Sequence, residues 1–152
     1  MTELVFRAAR DDDLPAIIAL LADDELGTAR EDASTPINPR YTAAYAAITA
    51  DPNQLLLVAD RGGDVVGCLQ VSSIPGLSRL GMWRGQIEGV RVARSERGSG
   101  VGGQMIRFAI EECRRRGCGI VQLTTDKSRP DAHRFYAGLG FVASHEGMKL
   151  VL

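Results

Sequence analysis

The stretch VRVARSERGSGVGGQM, residues 90–105, decides how this chain is read. Val90-Arg91-Val92 alternates like a strand, runs into a turn rich in glycine, and the turn opens an amphipathic helix. Gly98, Gly100, Gly102 and Gly103 let successive backbone N–H groups converge on one point. The first helical turn adds its own unpaired donors and positive potential. Such a loop is an anion site, best suited to phosphate. It is not a Walker loop, because the Gly-Lys-Ser/Thr ending is missing. A merely flexible connection would have no use for so many glycines, which are costly to order.

Gly98, Gly100 and Gly103 also match the dinucleotide pattern G-x-G-x-x-G, and Asp126 stands where a ribose-binding acid would sit. Context argues against that reading. Only 26 residues follow Asp126, too few for the further βα units of a dinucleotide fold. The strands before the loop also read as hairpins rather than crossovers.

Outward from the loop, the pattern of apolar residues predicts the other elements. Towards the N-terminus, residues 82–92 form a strand, and 54–60 pairs with 65–74 through the turn Arg61-Gly62-Gly63-Asp64. Residues 39–50 form a helix ending before Pro52, and the polar segment 25–40 reads as a loop. Leu14, Ile17, Ile18, Leu20 and Leu21 mark a helix through Asp24, with Asp11–Asp13 as its N-cap and acidic first turn. LVFRAA (4–9) is the first strand. Towards the C-terminus, Gly100–Arg116 is a helix with Met105, Ile106, Ala109, Ile110 and Cys113 inward. Residues 119–125 are a buried strand, Pro130 starts a helix ending near Gly138, and 141–152 supplies the last strand or strands. The predicted fold class is α/β (α+β): a mixed, mostly antiparallel sheet flanked by about four helices, in the order β-α-α-β-β-β-α-β-α-β.

Length and composition agree with one globular domain, residues 1–152: the chain is 45% hydrophobic and 24% charged. A chain of this size buries roughly 68–70% of its unfolded surface. No apolar run reaches the roughly 20 residues of a membrane span, and the first residues lack a secretory pattern. Cys68, Cys113 and Cys118 show no paired or metal-ligand spacing, so they are expected as core fillers in a reducing compartment, with no metal. The net charge of −1 hides an asymmetry. Residues 1–60 hold 4 Arg against 11 acidic residues, whereas 61–152 hold 14 basic against 8 acidic. The whole is too neutral, and with 5% aromatics too poor in stacking groups, for a nucleic-acid partner.

Arg97-Gly98-x-Gly100-x-Gly102 after a Val-x-Val strand resembles the acetyl-CoA loop of the GNAT superfamily of N-acetyltransferases. Downstream, DAHRFYAGLGF (131–141) resembles that superfamily's second signature, a helix carrying Phe-Tyr and ending in Gly-Phe. The two signatures lie at the family's separation, and the element order is the family's order. The resemblance implies an acetyl-CoA-dependent enzyme that acetylates the amine of a small molecule by direct transfer; the sequence requires no metal for this, and the cysteine usage places the expected enzyme in the cytoplasm. It implies that pantetheine pairs with the backbone of Val90 and Val92, and that the pyrophosphate sits on the amides of Gly98, Gly100, Val101, Gly102 and Gly103. Arg97 adds charge there, with Arg94 as a second candidate.

Strand parity makes its own point. Ile87 has one parity and Val90 and Val92 the other, so keeping all three in the core requires a phase slip, which Gly89 could make. The family carries a bulge in this strand that opens the acetyl-CoA slot. Glu88, a carboxylate in an otherwise apolar strand, is the expected general base; the competing reading is a salt bridge to Arg84 or another arginine. Tyr136, protonated at neutral pH, is the expected acid for the departing thiolate, with a buried structural tyrosine as its alternative. Phe135 is expected in the core and His133 on the surface.

Two departures from the family pattern remain. Asp126 replaces the family's frequent asparagine, which leaves its cofactor contact open. The acidic lid residues Glu25, Glu31 and Asp32 suit a cationic amine or plain solvation. The DAHRFY and Gln-Ile-Glu stretches also resemble aminoalkylphosphonate acetyltransferases, without choosing a substrate. A non-catalytic acyl-CoA sensor is the reading from a different class, and a homodimer is left open.

Overall fold

The computed structural model describes residues 2–152. Five strands form one sheet in the order β1 (Leu4–Ala8), β2 (Gln54–Arg61), β3 (Asp64–Ile74), β4 (Trp83–Val92), β5 (Cys118–Gln122). The first three pairings are antiparallel and β4 with β5 is parallel. The helices are α1 (Leu14–Ala22), α2 (Glu25–Arg30), α3 (Pro39–Ala50), the four-residue turn α4 (Ser78–Gly81), α5 (Val101–Arg115) and α6 (Pro130–Gly138). Single 3-10 turns precede α1 and α5. This is the mixed, mostly antiparallel architecture expected. The chain divides into two compact units, one ending at Gln122 and one spanning Leu123–Leu152.

In the first unit α5 covers one face of the sheet. Its Met105, Ile106, Ala109 and Cys113 are fully buried, as the helical spacing predicts. Burying a large apolar side chain contributes roughly 1.5–3 kcal/mol. Gly67 of β3 lets α5 approach, since a Cβ there would lie 3.3 Å from the Met105 sulfur. On the opposite face α1 packs Ile17 against Val58 and Cys68. Burial pushes the Cys68 thiol up to about 12 and the Cys113 thiol to about 11, so both behave as apolar filler.

Asp13 both caps the start of the helical segment Asp11–Asp13, from inside its first turn, and holds an arginine. Its carboxylate accepts the Arg10 amide at 2.7 Å and grips the Arg7 guanidinium through both oxygens, at 2.7 and 3.1 Å. Those Arg7 bonds hold the Asp13 carboxyl below its ordinary range.

Three expectations need correction. Residues 25–30, expected as loop, form helix α2, because Asp24 caps the Gly27 amide and Thr28 Oγ donates to the Ala22 and Asp24 carbonyls. A six-residue helix has too few apolar positions to show a period, so its caps carry it. β5 ends at Gln122, three residues earlier than its apolar run suggested, and is only partly buried, with Ile120 exposed at the edge of the sheet. The second unit consists of α6 and irregular segments, and 141–152 carries no strand. A strand exists through pairing, and apolar residues alone supply no partner for its backbone groups.

Candidate active site

Glycine 89 makes the slip that parity demands. Val71 faces Ile87 and Gly67 faces Val92, but the register shifts by one residue between Cys68 and Gln70. The extra residue of β4 lies at Gly89-Val90, where Gly89 has φ +63°. Because of it Ile87 and Val92, of opposite parity, share the face that α5 covers, through pairing with Val71 and Gly67. Arg91 pairs with Cys68 and so turns to the other face, where its Nε lies 3.2 Å from Asp24 Oδ2. Its Nη1 donates to the Val90 carbonyl at 2.9 Å.

The bulge coincides with the end of strand pairing on the other side. β5 accompanies β4 only as far as Gln86 opposite Gln122, whereas β4 continues to Val92. Among the described residues no strand lies beside that edge of β4 from Ile87 to Val92, the geometry on which an extended ligand adds as a strand.

This free edge leads into the glycine loop. Gly98 and Gly100 have φ +81° and +89°, a region open to glycine without strain. Gly100 is the N-cap of α5, and no side chain caps the helix. Ser99 Oγ, the natural candidate, donates instead to the Glu96 carbonyl. There is no acidic residue in the first turn. The amides of Val101, Gly102 and Gly103 therefore keep their donors for an anion. Val101 is 1% exposed and contributes its backbone only. Arg97 is exposed and makes no ion pair among the described residues, while Arg94 is held by Asp23 at 3.0 Å. A diphosphate fits this donor set.

Glu88 is exposed and has no salt bridge among the described residues, so the expected alternative of a pair with Arg84 is not realised. It stands on the face opposite α5, opposite Gln70 in register. The lid acids Glu31 and Asp32 are engaged locally. Tyr41 donates its hydroxyl to Glu31 at 2.8 Å and accepts the Asp32 amide at 2.9 Å, and Asp32 binds Ser34 and Asn38.

In the second unit Tyr136 is half-buried, edge-on to Phe135 and Phe141 with ring centroids 5.1 and 5.9 Å away. Phe135, expected in the core, is 38% exposed, and α6 turns the adjacent Tyr136 to its half-buried side instead. His133 is exposed, as expected. Asp126 serves the backbone locally. Its Oδ1 accepts the Ser128 amide at 2.9 Å and hydroxyl at 2.7 Å, closing the turn before α6. A pocket of about 350 Å³ lies among Thr125, Lys127, Arg129, Pro130, His133 and Arg134. Among the described residues no cluster of His, Cys, Asp or Glu could hold a metal ion, and no helix is long and apolar enough to cross a membrane.

Comparison with known proteins extends this geometry. Residues 14–141 match the acetyltransferase (GNAT) family. The aminoalkylphosphonate N-acetyltransferase of Salmonella typhimurium is 37% identical over 105 residues, covering 69% of this chain and 68% of that protein. A crystal structure of a transcriptional regulator from Bacillus halodurans superimposes with TM-score 0.96 at 47% identity, over 99% of this chain and all of the other. An acetyltransferase of Trypanosoma brucei superimposes with TM-score 0.79 at 28% identity, over 99% of this chain and all of the other.

Proposed function

This chain belongs to the GNAT family of acetyltransferases and transfers acetyl from acetyl-CoA to the amine of a small molecule; on that footing we propose how its residues do so. Both substrates are held together, and the acetyl group passes directly between them. The observation that carries this reading is the bulged, unpaired edge of β4 running into an uncapped helix N-terminus. The amides of Gly98, Gly100, Val101, Gly102 and Gly103 cradle the pyrophosphate with Arg97 beside them, and the backbone of Val90 and Val92 takes the pantetheine.

Acetyl-CoA supplies an activated carbonyl and a thiolate leaving group. Glu88 accepts the proton of the substrate ammonium, directly or through water, since only the neutral amine has a lone pair to attack with. Tyr136 donates its phenolic proton to the departing sulfur, and the proton shed by the acylated nitrogen restores the phenol. General acid or base assistance of this kind contributes typically about 10²–10⁴-fold each. No metal is invoked. The family match spans both compact units, which supports reading residues 1–152 as one functional domain. We place the protein in the cytoplasm, acting on a small amine rather than on nucleic acid or membrane, with a homodimer as the assembly to test. The Salmonella relative makes aminoalkylphosphonates the first acceptors to try.

The test is thermal stabilisation by acetyl-CoA together with thiol release over a panel of amines. Absence of stabilisation overturns the cofactor site. The name of the Bacillus halodurans relative, a transcriptional regulator, favours one competing reading, a sensor that binds acyl-CoA without turnover. Stabilisation without thiol release from any amine would select it.

A further inference from the structure

The sheet carries a row of amides that the transfer chemistry leaves unused. Gln54 faces Ser72, Ser72 faces Gln86, and Gln86 faces Gln122, on four adjacent strands. Residues paired in register point to the same side, here the side of Glu88, away from α5. With strands about 4.8 Å apart, the row is about 14 Å long. The polar side chains are tied to one another. Gln54 Oε1 accepts from Ser72 Oγ at 2.7 Å and Gln70 Nε2 at 3.0 Å, and Gln86 Oε1 accepts from Gln122 Nε2 at 2.8 Å.

Those bonds tie one end of each amide and leave its other end open. Gln54 and Gln86 commit their oxygens to neighbours, so both keep a whole NH₂ group, with two donors each and no partner among the described residues. Gln122 and Gln70 commit their NH₂ groups and keep an oxygen. Donors and acceptors are therefore fixed in place before any ligand arrives. An alkyl chain laid on this row would strip water from them and return nothing, whereas hydroxyl groups would pair with both kinds.

Two charges flank the row on the same face of β4. Glu88 lies two residues to one side of Gln86 and Arg84 two residues to the other, about 13 Å apart along the strand. Both are exposed, and neither has an ion pair among the described residues. Their signs assign the two ends of a ligand.

We propose that the row Gln54–Ser72–Gln86–Gln122 is the acceptor platform, and that it selects a hydroxylated amine bearing an anionic group. The amine lies at Glu88, the hydroxyls lie on Gln86 and its neighbours, and the anion reaches Arg84. This deepens the acetyltransferase reading above and rests on it for the position of the amine.

The experiment compares propylamine, 2-aminoethylphosphonate, glucosamine and glucosamine 6-phosphate as acceptors, by kcat/KM from thiol release. In parallel, calorimetry measures their binding to the protein saturated with CoA. The wild type is expected to prefer glucosamine 6-phosphate over propylamine. Gln86→Leu should shrink the preference for hydroxylated acceptors at least about tenfold, the worth of one lost hydrogen bond with its partner left unpaired, with the KM for acetyl-CoA unchanged. Gln122→Leu, which removes one acceptor oxygen from the row and releases the Gln86 oxygen, should also shrink that preference, and it guards against a folding defect in the first variant. Arg84→Gln should reduce the ratio of phosphorylated to unphosphorylated sugar and leave the glucosamine-to-propylamine ratio alone. A wild type without preference for hydroxylated amines in either measurement overturns the inference, and so do unchanged ratios in folded Gln86→Leu. Binding that discriminates through Gln86 in a protein that releases no thiol would uphold the platform and refute acetyl transfer instead.

Discussion

Replacing Gly89 with alanine adds one methyl group at the bulge, and its cost can be worked out from two observations. A Cβ built on Gly89 would lie 3.8 Å from Leu21 Cδ2, an ordinary contact, so space is not the obstacle. The backbone is: φ is +63°, where a Cβ crowds the following carbonyl at a cost of roughly 1–2 kcal/mol. For a chain of this size about 1 kcal/mol moves Tm by about 2–4 °C, so a fall of about 2–8 °C is expected. Gly89→Asn should fall less, because asparagine tolerates the left-handed region better. A strand that relieves the strain by closing the bulge shifts register by one, which turns Arg91 and Val92 to each other's faces. The free edge then loses its shape, and stabilisation by acetyl-CoA should shrink in step with the fall in Tm. Melting curves of wild type, Gly89→Ala and Gly89→Asn, with and without acetyl-CoA, decide it. Gly89→Ala that melts and responds like wild type would refute the bulge as the determinant of the slot.

Glu88→Gln and Tyr136→Phe should each lower turnover by about 10²–10⁴-fold while leaving acetyl-CoA binding intact; thiol-release kinetics beside calorimetry separate the two effects. Gly85→Ala should destabilise by roughly 1–3 kcal/mol, because its new Cβ would overlap the buried Cys113 sulfur. Adding Cys113→Ala should restore much of the loss in urea melts. Asp13→Asn should cost about 1.5–3 kcal/mol at neutral pH, the worth of hydrogen bonds to a charged group. The Asp13 carboxyl is held low in the folded chain by Arg7, so its contribution is present above the ordinary carboxylate range and disappears as pH falls through the folded value. The stability gap between variant and wild type should therefore narrow in acid, and a gap that stays constant from about pH 7 down to about pH 2 would contradict the pairing.

The elements of this fold that could be read from residues are those held by local rules. The period of α5, the glycine turn at Gly62-Gly63 with φ of +63° and +96°, and the break before Pro52 each follow from a few neighbouring residues. The bulge was legible too, though it is a tertiary feature, because alternation along one strand records which face each residue must meet. Helix α2 escaped because six residues hold too little periodicity. The expected strand or strands over 141–152 failed for a different reason: the apolar residues are present, but pairing is a property of two segments.

The candidate site divides along the same line. In the function proposed above its glycines and its Val-x-Val edge act through backbone atoms, so their residue types announce the role. The charges behave differently. The acidic first half and basic second half are partly joined to each other, through Asp23 with Arg94 and Asp24 with Arg91. Which arginine stays available, Arg97 rather than Arg94, depended on where the end of α1 meets the loop.

By itself the sequence determined the strand–glycine loop–helix unit, the phase slip at Gly89 and the general form of the sheet, because all three depend on backbone freedom and side-chain period within a short stretch. Only the tertiary structure decided which polar groups meet. Gln54, Ser72, Gln86 and Gln122 lie far apart along the chain and become neighbours solely through the register of four strands. Register is set by the summed packing of both sheet faces, and no local window of sequence contains that sum.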